Sequence, residues 1–317
     1  MVTAAAGVLG ALAVVGSLGH GDVARFSYVA CLAGAAGLVL SVAQRHATQR
    51  RVWLLVGAGL TSWTIAGALV TLQIGAFESI PSLVVSILYA AGYPLVLAGL
   101  VVLGTPPDVP RRLAAVLDGL IAFSLLYGAV WVLAVQPVSS DSRLPRVDRA
   151  FSALYPAFDV ALLITTMWLL ISKTVWRRVG VLLALGVLLG GAADVALLVL
   201  YLRDPAGAWP STDLVYLLGN ASIAVAAMIS PAAGPSDRQT PEASGRRLSA
   251  LVSLAGVGAA ATLLALAVDG RSVRLAPLAG WLVVVAGLNV ARSVVGMRSM
   301  ERTRQQLDWY MTHDRLT

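Results

Sequence analysis

The sequence predicts an all-α polytopic membrane bundle, on three observations. Apolar residues fill 58% of the 317 positions, charged residues only 12%, and the mean hydropathy is +0.82. Soluble domains carry roughly a quarter charged residues, so this chain has too few charges to cover a water-facing surface and its solvent must be largely lipid. Apolar stretches then recur at about the 20-residue length that crosses a bilayer as helix. Finally, the basic residues alternate between rich and poor loops, as a membrane topology requires.

Taken in order, the stretches are 2–18, 26–43, 52–75, 80–104, 113–136, 150–171, 179–201, 212–230, 248–268 and 275–291. That makes about ten transmembrane helices at bilayer length. Breaks such as Thr105-Pro106-Pro107-Asp108 and Pro231-Ala232-Ala233-Gly234-Pro235 separate them. The first stretch lacks a positively charged leading segment, so it reads as an uncleaved helix rather than a signal peptide. Its own orientation is not locally encoded, because Arg25 follows it and no basic residue precedes it.

With both termini on one side, that side holds sixteen of the basic residues, among them Arg45, Arg50, Arg51, Arg177, Arg178 and Arg298, and the other side holds seven. The positive-inside rule makes the richer side the cytoplasm. A multi-pass membrane protein with a cytoplasmic C-terminus follows, and the lipid bilayer is its first partner.

The net charge of +7 and pI near 10.1 express this loop arginine. No basic stripe with interleaved aromatics accompanies them, so no nucleic-acid partner is expected. Cys31 stands alone, which precludes an intrachain disulfide. His20, His46 and His313 are widely spaced, so neither a metal site nor a cofactor is expected. The Gly-x-Ser-x-Gly elbow, the phosphate-binding lysine loop and the His-Glu-x-x-His helix are all missing, which counts against a complete enzyme.

Polar groups inside the spans are the candidate site. Asp118, Asp159, Asp194, Asn220 and Asn289 fall within apolar stretches, where an aspartate costs about 2.5–3.5 kcal/mol unless it meets a partner, a cavity or water. At the rise of an α-helix, Asp159 lies about 13 Å, Asp194 about 10 Å and Asn220 about 12 Å below the outer ends of their spans. Tyr155 sits one turn above Asp159 on the same face. Two readings follow. These four residues form an outward-opening pocket for an unknown small ligand or a proton, or they hydrogen-bond between helices and hold the bundle together. Asp118 lies about 8 Å from the cytoplasmic end of its span, within two turns of Arg111 and Arg112, and reads as an inner-face pair with them. Pro94 and Pro156 mark kinks. Tyr93-Pro94 and Tyr155-Pro156 echo each other faintly, as a duplicated helix pair or a coincidence.

After the last span the chain becomes charged and proline-free. Met297, Met300, Arg304, Leu307 and Met311 follow the 3-4-3-4 spacing of a short coiled-coil seam. Either the segment dimerises or it is a solvated helix; two heptads and an arginine in the seam leave both open.

The closing residues His313-Asp314-Arg315-Leu316-Thr317 resemble the entry to a GGDEF domain, the His-Asp-x-Leu-Thr that follows a signalling helix in diguanylate cyclases. The stretch from Tyr89 to Ala233 is similar to the multi-helix input region of actinobacterial GGDEF and GGDEF–EAL proteins. The likeness rests on Gly92-Tyr93-Pro94-Leu95, Leu117-Asp118-Gly119-Leu120-Ile121, Leu154-Tyr155-Pro156 with Asp159, Ala193-Asp194, and the run from Asp213 through Tyr216 to Gly219. The resemblance implies a transmembrane sensory or anchoring bundle over 1–296, a cytoplasmic signalling helix over 297–312, and the truncated start of a GGDEF domain over 313–317. It implies a homodimer through the C-terminal helix and a catalytic domain, absent from this chain, that makes or degrades cyclic di-GMP. None of the family's active-site residues is present, so no catalytic activity is expected of these 317 residues, and the family supplies no ligand. The alternative, carried by the intramembrane aspartates, is a small-molecule or proton-coupled transporter.

Overall fold

A computed structural model describes residues 22–73, 82–104, 109–139, 146–172, 175–203, 210–231 and 275–313. The described residues are helical apart from His46, Val175, Trp176, Ser230 and Pro231, without a strand. In hydrocarbon every backbone N–H and C=O needs an internal partner, and a helix supplies them within one segment.

The helices are α1 (Asp22–Arg45), a 3-10 turn (Ala47–Gln49), α2 (Arg50–Gln73), α3 (Ser82–Gly104), α4 (Val109–Val130), a π turn (Trp131–Val135), the short α5 (Gln136–Ser139), α6 (Arg146–Ser172), α7 (Arg177–Arg203), α8 (Pro210–Ile229) and α9 (Leu275–His313). Among the described residues seven helical stretches are long and apolar enough to cross a membrane: α1, α2 with its leading 3-10 turn, α3, α4, α6, α7 and α8. The expected spans 2–18 and 248–268 lie outside the described residues. The expected span 275–291 is the first part of α9, which continues without a break to His313.

Where a single span over 113–136 was expected, the helix widens into the π turn Trp131–Val135, closed by the Gln136 N–H donating to the Trp131 carbonyl. Pro137 follows directly and has no N–H to return to the preceding turn, a recognised cause of such local widening.

The chain divides into two compact units. The first comprises Met1–Gly104 and Val130–Gly245, and its long helices close into a ring. α1 packs on α2, α2 on α3, α3 on α6, α6 on α7, α7 on α8, and α8 returns to α1. Large apolar side chains such as Leu54, Ile65, Ile87, Leu185 and Leu188 point outward, as a lipid-facing surface requires. Toward one end of the ring the interior is filled by Val39, Trp53, Val56, Leu60, Leu100 and Leu169, each no more than 1% exposed. There Gln49 Oε1 accepts from Trp53 Nε1 at 3.0 Å and from Ser230 Oγ at 2.8 Å, tying the α1–α2 turn to the end of α8.

Small residues set the closest approaches. A Cβ built on Gly186 of α7 would stand 2.8 Å from the Gly219 carbonyl of α8, and one on Gly219 would stand 2.9 Å from the Gly186 carbonyl. Two backbones in direct contact are the usual solution in lipid, where packing rather than water drives helix association. Gly219→Ala should therefore destabilise the ring by about 1–3 kcal/mol, since the obstructing atom is backbone. Gly37→Ala, whose Cβ would meet nothing within 4 Å, should be neutral or slightly stabilising. Thermal unfolding of both variants in one detergent makes the comparison.

The second unit comprises Thr105–Ala129 and Arg246–Thr317. In it α9 runs antiparallel along α4. Trp281 lies against Gly128 and donates to the Ser124 carbonyl at 2.8 Å. Val285 and Leu288 pack on Ile121 and Leu125, and Arg292 reaches Asp118.

Candidate functional site

The interior of the six-helix ring encloses a cavity of about 420 Å³, to which every helix of the ring contributes. Tyr28 comes from α1, Trp63 from α2, Tyr89 and Tyr93 from α3, Tyr155 and Asp159 from α6, Asp194 from α7, and Tyr216 and Asn220 from α8. The structure thus brings Tyr155, Asp159, Asp194 and Asn220 to one cavity.

Asp194 is the fully bonded carboxylate. Tyr93 Oη donates to its Oδ2 at 2.7 Å, and Tyr216 Oη donates to its Oδ1. The two tyrosines come from opposite sides of the ring, so the aspartate bridges α3, α7 and α8. Tyr93 is itself held by its neighbours. Trp63 meets it edge-on at 5.1 Å between ring centres, while Phe158 stacks at 5.3 Å and Tyr155 at 6.0 Å.

Asp159 differs. Its carboxyl lies beside Asp194 and Tyr93 and against Gly191, where a Cβ would stand 3.4 Å from its own. Its Oδ2 is buried without a hydrogen-bond partner, and so is Asn220 Oδ1. Asn220 Nδ2 is engaged, donating to the Tyr216 carbonyl at 2.9 Å. An unpaired buried acceptor costs about 1–3 kcal/mol. Asp213 is exposed and also lines the cavity, which places a carboxylate at its rim, near the start of α8.

Side chains also take carbonyls of α3 in the turns before Pro94. Ser62 Oγ donates to Leu88 O at 2.6 Å, Trp63 Nε1 to Tyr89 O at 2.9 Å, and Tyr155 Oη to Ser86 O at 3.2 Å. Proline interrupts a helix's own ladder, and in hydrocarbon such borrowed donors keep the disturbed turns bonded.

The tyrosines Tyr93 and Tyr216, the partners of Asp194, were not among the residues singled out for the pocket from their depth. The tyrosines of the motifs Gly92-Tyr93-Pro94 and Asp213–Tyr216 were the available signal. Tyr216→Phe and Tyr93→Phe should each cost about 1–3 kcal/mol by stripping one donor from a buried carboxylate. Unfolding midpoints in detergent provide the measurement.

Asp118 belongs to the second unit. It is 5% exposed, and its Oδ1 accepts from Arg292 Nε at 2.6 Å. The side chains of Arg111 and Arg112, named as its partners from sequence proximity, lie outside the described part; among the described residues Asp118 pairs with Arg292, on α9. Asn289 is exposed on α9 and donates to the Val285 carbonyl of its own helix. Of the expected seam, Met297 and Arg304 are exposed, whereas the side chains of Met300, Leu307 and Met311 and the residues 314–317 are outside the described part. Among the described residues no group of His, Cys, Asp and Glu could hold a metal ion.

No protein-family model, no curated protein and no solved structure matches this chain.

Proposed function

We propose that the chain is the membrane input module of a cyclic-di-GMP enzyme, a sensor or anchor that sets the state of a cytoplasmic GGDEF domain. The observation that carries the reading is α9, which leaves an apolar segment packed on α4 and continues unbroken to His313, the first residue of the His-Asp-x-Leu-Thr sequence. An unbroken helix transmits a rotation or shift at one end to the other; a flexible linker would not. In this reading about ten helices span the inner membrane, the basic side is cytoplasmic, and the residues from Met297 to Met311 bring two copies together. A sensor needs two states that its cue binds unequally, and the cavity of the first unit is where the cue would act.

Reading the source gene past the Thr317 codon tests this directly. The expected continuation is Gly-Leu-x-Asn-Arg followed later by Gly-Gly-Asp-Glu-Phe or a close variant. Any other downstream domain, or none, removes the proposal. The buried carboxylates of the ring favour a second reading, transport of a small molecule or proton. Uptake of a labelled solute by proteoliposomes of the full chain, lost on Asp159→Asn, would select it.

A further inference from the structure

We infer that the ring cavity is a site for a protonated amine, a small organic ammonium carrying at least one N–H. The inference rests on the cavity's being the ligand site of the proposed module and names the chemistry of that ligand.

The argument starts from what the cavity lacks. Among the described residues its unpaired buried polar atoms are Asp159 Oδ2 and Asn220 Oδ1, both acceptors. A complementary ligand must therefore bring donors. Among the described residues the lining holds three acidic side chains, Asp159, Asp194 and Asp213, and no Lys, Arg or His. An anionic ligand would enter against that charge with no basic group to receive it, whereas a cation compensates a carboxylate that lipid and protein leave poorly solvated.

The three carboxylates have different roles. Both oxygens of Asp194 are taken by Tyr93 and Tyr216, so it fixes the wall. Asp159 is left with a free acceptor facing the same space. Asp213 stands exposed at the rim, where a carboxylate attracts cations toward the opening.

The rest of the wall mixes aliphatic side chains with six aromatic ones, Tyr28, Trp63, Tyr89, Tyr93, Tyr155 and Tyr216, and a desolvated aromatic ring attracts an ammonium group by about 0.5–2 kcal/mol. A bare metal ion is a poor fit, since the acidic side chains do not converge as ligands among the described residues. The volume of about 420 Å³ falls within the range of small-molecule pockets, roughly 300–1,000 Å³. It therefore accommodates an amine with an apolar body.

The test uses the full chain in detergent and three probes of one shape: 2-phenylethylammonium, its neutral analogue 2-phenylethanol, and the anion phenylacetate. Binding is read by calorimetry and by the ligand-dependent rise in the unfolding midpoint. The ammonium is expected to bind at least tenfold more tightly than the alcohol, and phenylacetate not at all. Asp159→Asn should weaken the ammonium at least tenfold and leave the alcohol within threefold.

Gly190→Leu is the independent variant. Gly190 lines the cavity and a Cβ there meets nothing within 4 Å, so the new side chain starts in open space. It should abolish binding while the unliganded midpoint holds. Equal affinity for alcohol and ammonium, lost in Gly190→Leu, overturns the amine but leaves the cavity as the module's ligand site. Failure of all three probes to bind the wild-type chain overturns the amine and removes this support for a ligand-gated module. Ammonium binding that survives Gly190→Leu places the site elsewhere and overturns the inference.

Discussion

Asp118→Ala is expected to lower the stability of the chain by about 3 kcal/mol, at the lower end of the cost of breaking a buried ion pair. Its carboxylate is nearly inaccessible and receives Arg292 Nε at 2.6 Å, while the Arg292 side chain keeps 27% of its surface. Removing the carboxylate leaves a guanidinium against apolar helix, but that partial exposure and the length of the arginine allow some escape toward a more polar level. Hence the lower end. Arg292→Ala should cost a similar amount, because it strands the more buried partner. Asp118→Leu with Arg292→Leu should recover most of the loss, since replacing both charges by packed apolar groups is often neutral. A double-mutant cycle in detergent, read by unfolding midpoints, should therefore give a coupling of at least about 2 kcal/mol. Strict additivity would mean that the two groups hold nothing together. The pair matters for function because it grips α9 where the helix turns from apolar to charged. Under the proposed role, loosening it should uncouple the helix that leads to the catalytic domain before it unfolds the module.

The sequence made the polar level of the site legible, and the reason is physical. A helix rises by a fixed amount per residue, so Asp159, Asp194 and Asn220 could be set at one depth without knowing which helices touch. Carboxylates in apolar spans announce themselves by their cost. Tyrosines do not: Tyr93 and Tyr216 are unremarkable in a membrane helix, and only the closure of α8 onto α1 and of α3 onto α6 brings them to Asp194. The ring itself was not readable, since apolar spans carry little pattern to say which faces meet. The same limit explains Asp118. Its bond to Arg292, 174 positions away, forms only through the antiparallel packing of α9 on α4, which no local pattern announces. The continuity of α9 was partly visible, as a charged proline-free run after the last apolar stretch. That it joins that stretch as one helix depends on the packing of Trp281, Val285 and Leu288, which no local pattern marks.

Leu188→Arg is expected to reduce insertion of α7 by about 2.5–3.5 kcal/mol, the cost of an arginine at the centre of a span. Leu188 is 53% exposed and lies near the middle of the apolar stretch Arg177–Leu197, so the substitution fills no core and breaks no hydrogen bond. Were this surface in water, the same change would fall within about 0.5 kcal/mol of neutral. Everything therefore turns on the solvent outside the ring. The comparison is with Arg177→Leu at the helix end, which should leave insertion of α7 little changed while weakening the topological signal of that loop. Accessibility labelling of single cysteines flanking α7 in intact cells, in a Cys31→Ser background, measures the inserted fraction. A strong loss at Leu188 identifies lipid as the neighbour of this face. Indifference to the arginine would put water there, and the buried carboxylates of the cavity would then need no membrane to explain their enclosure.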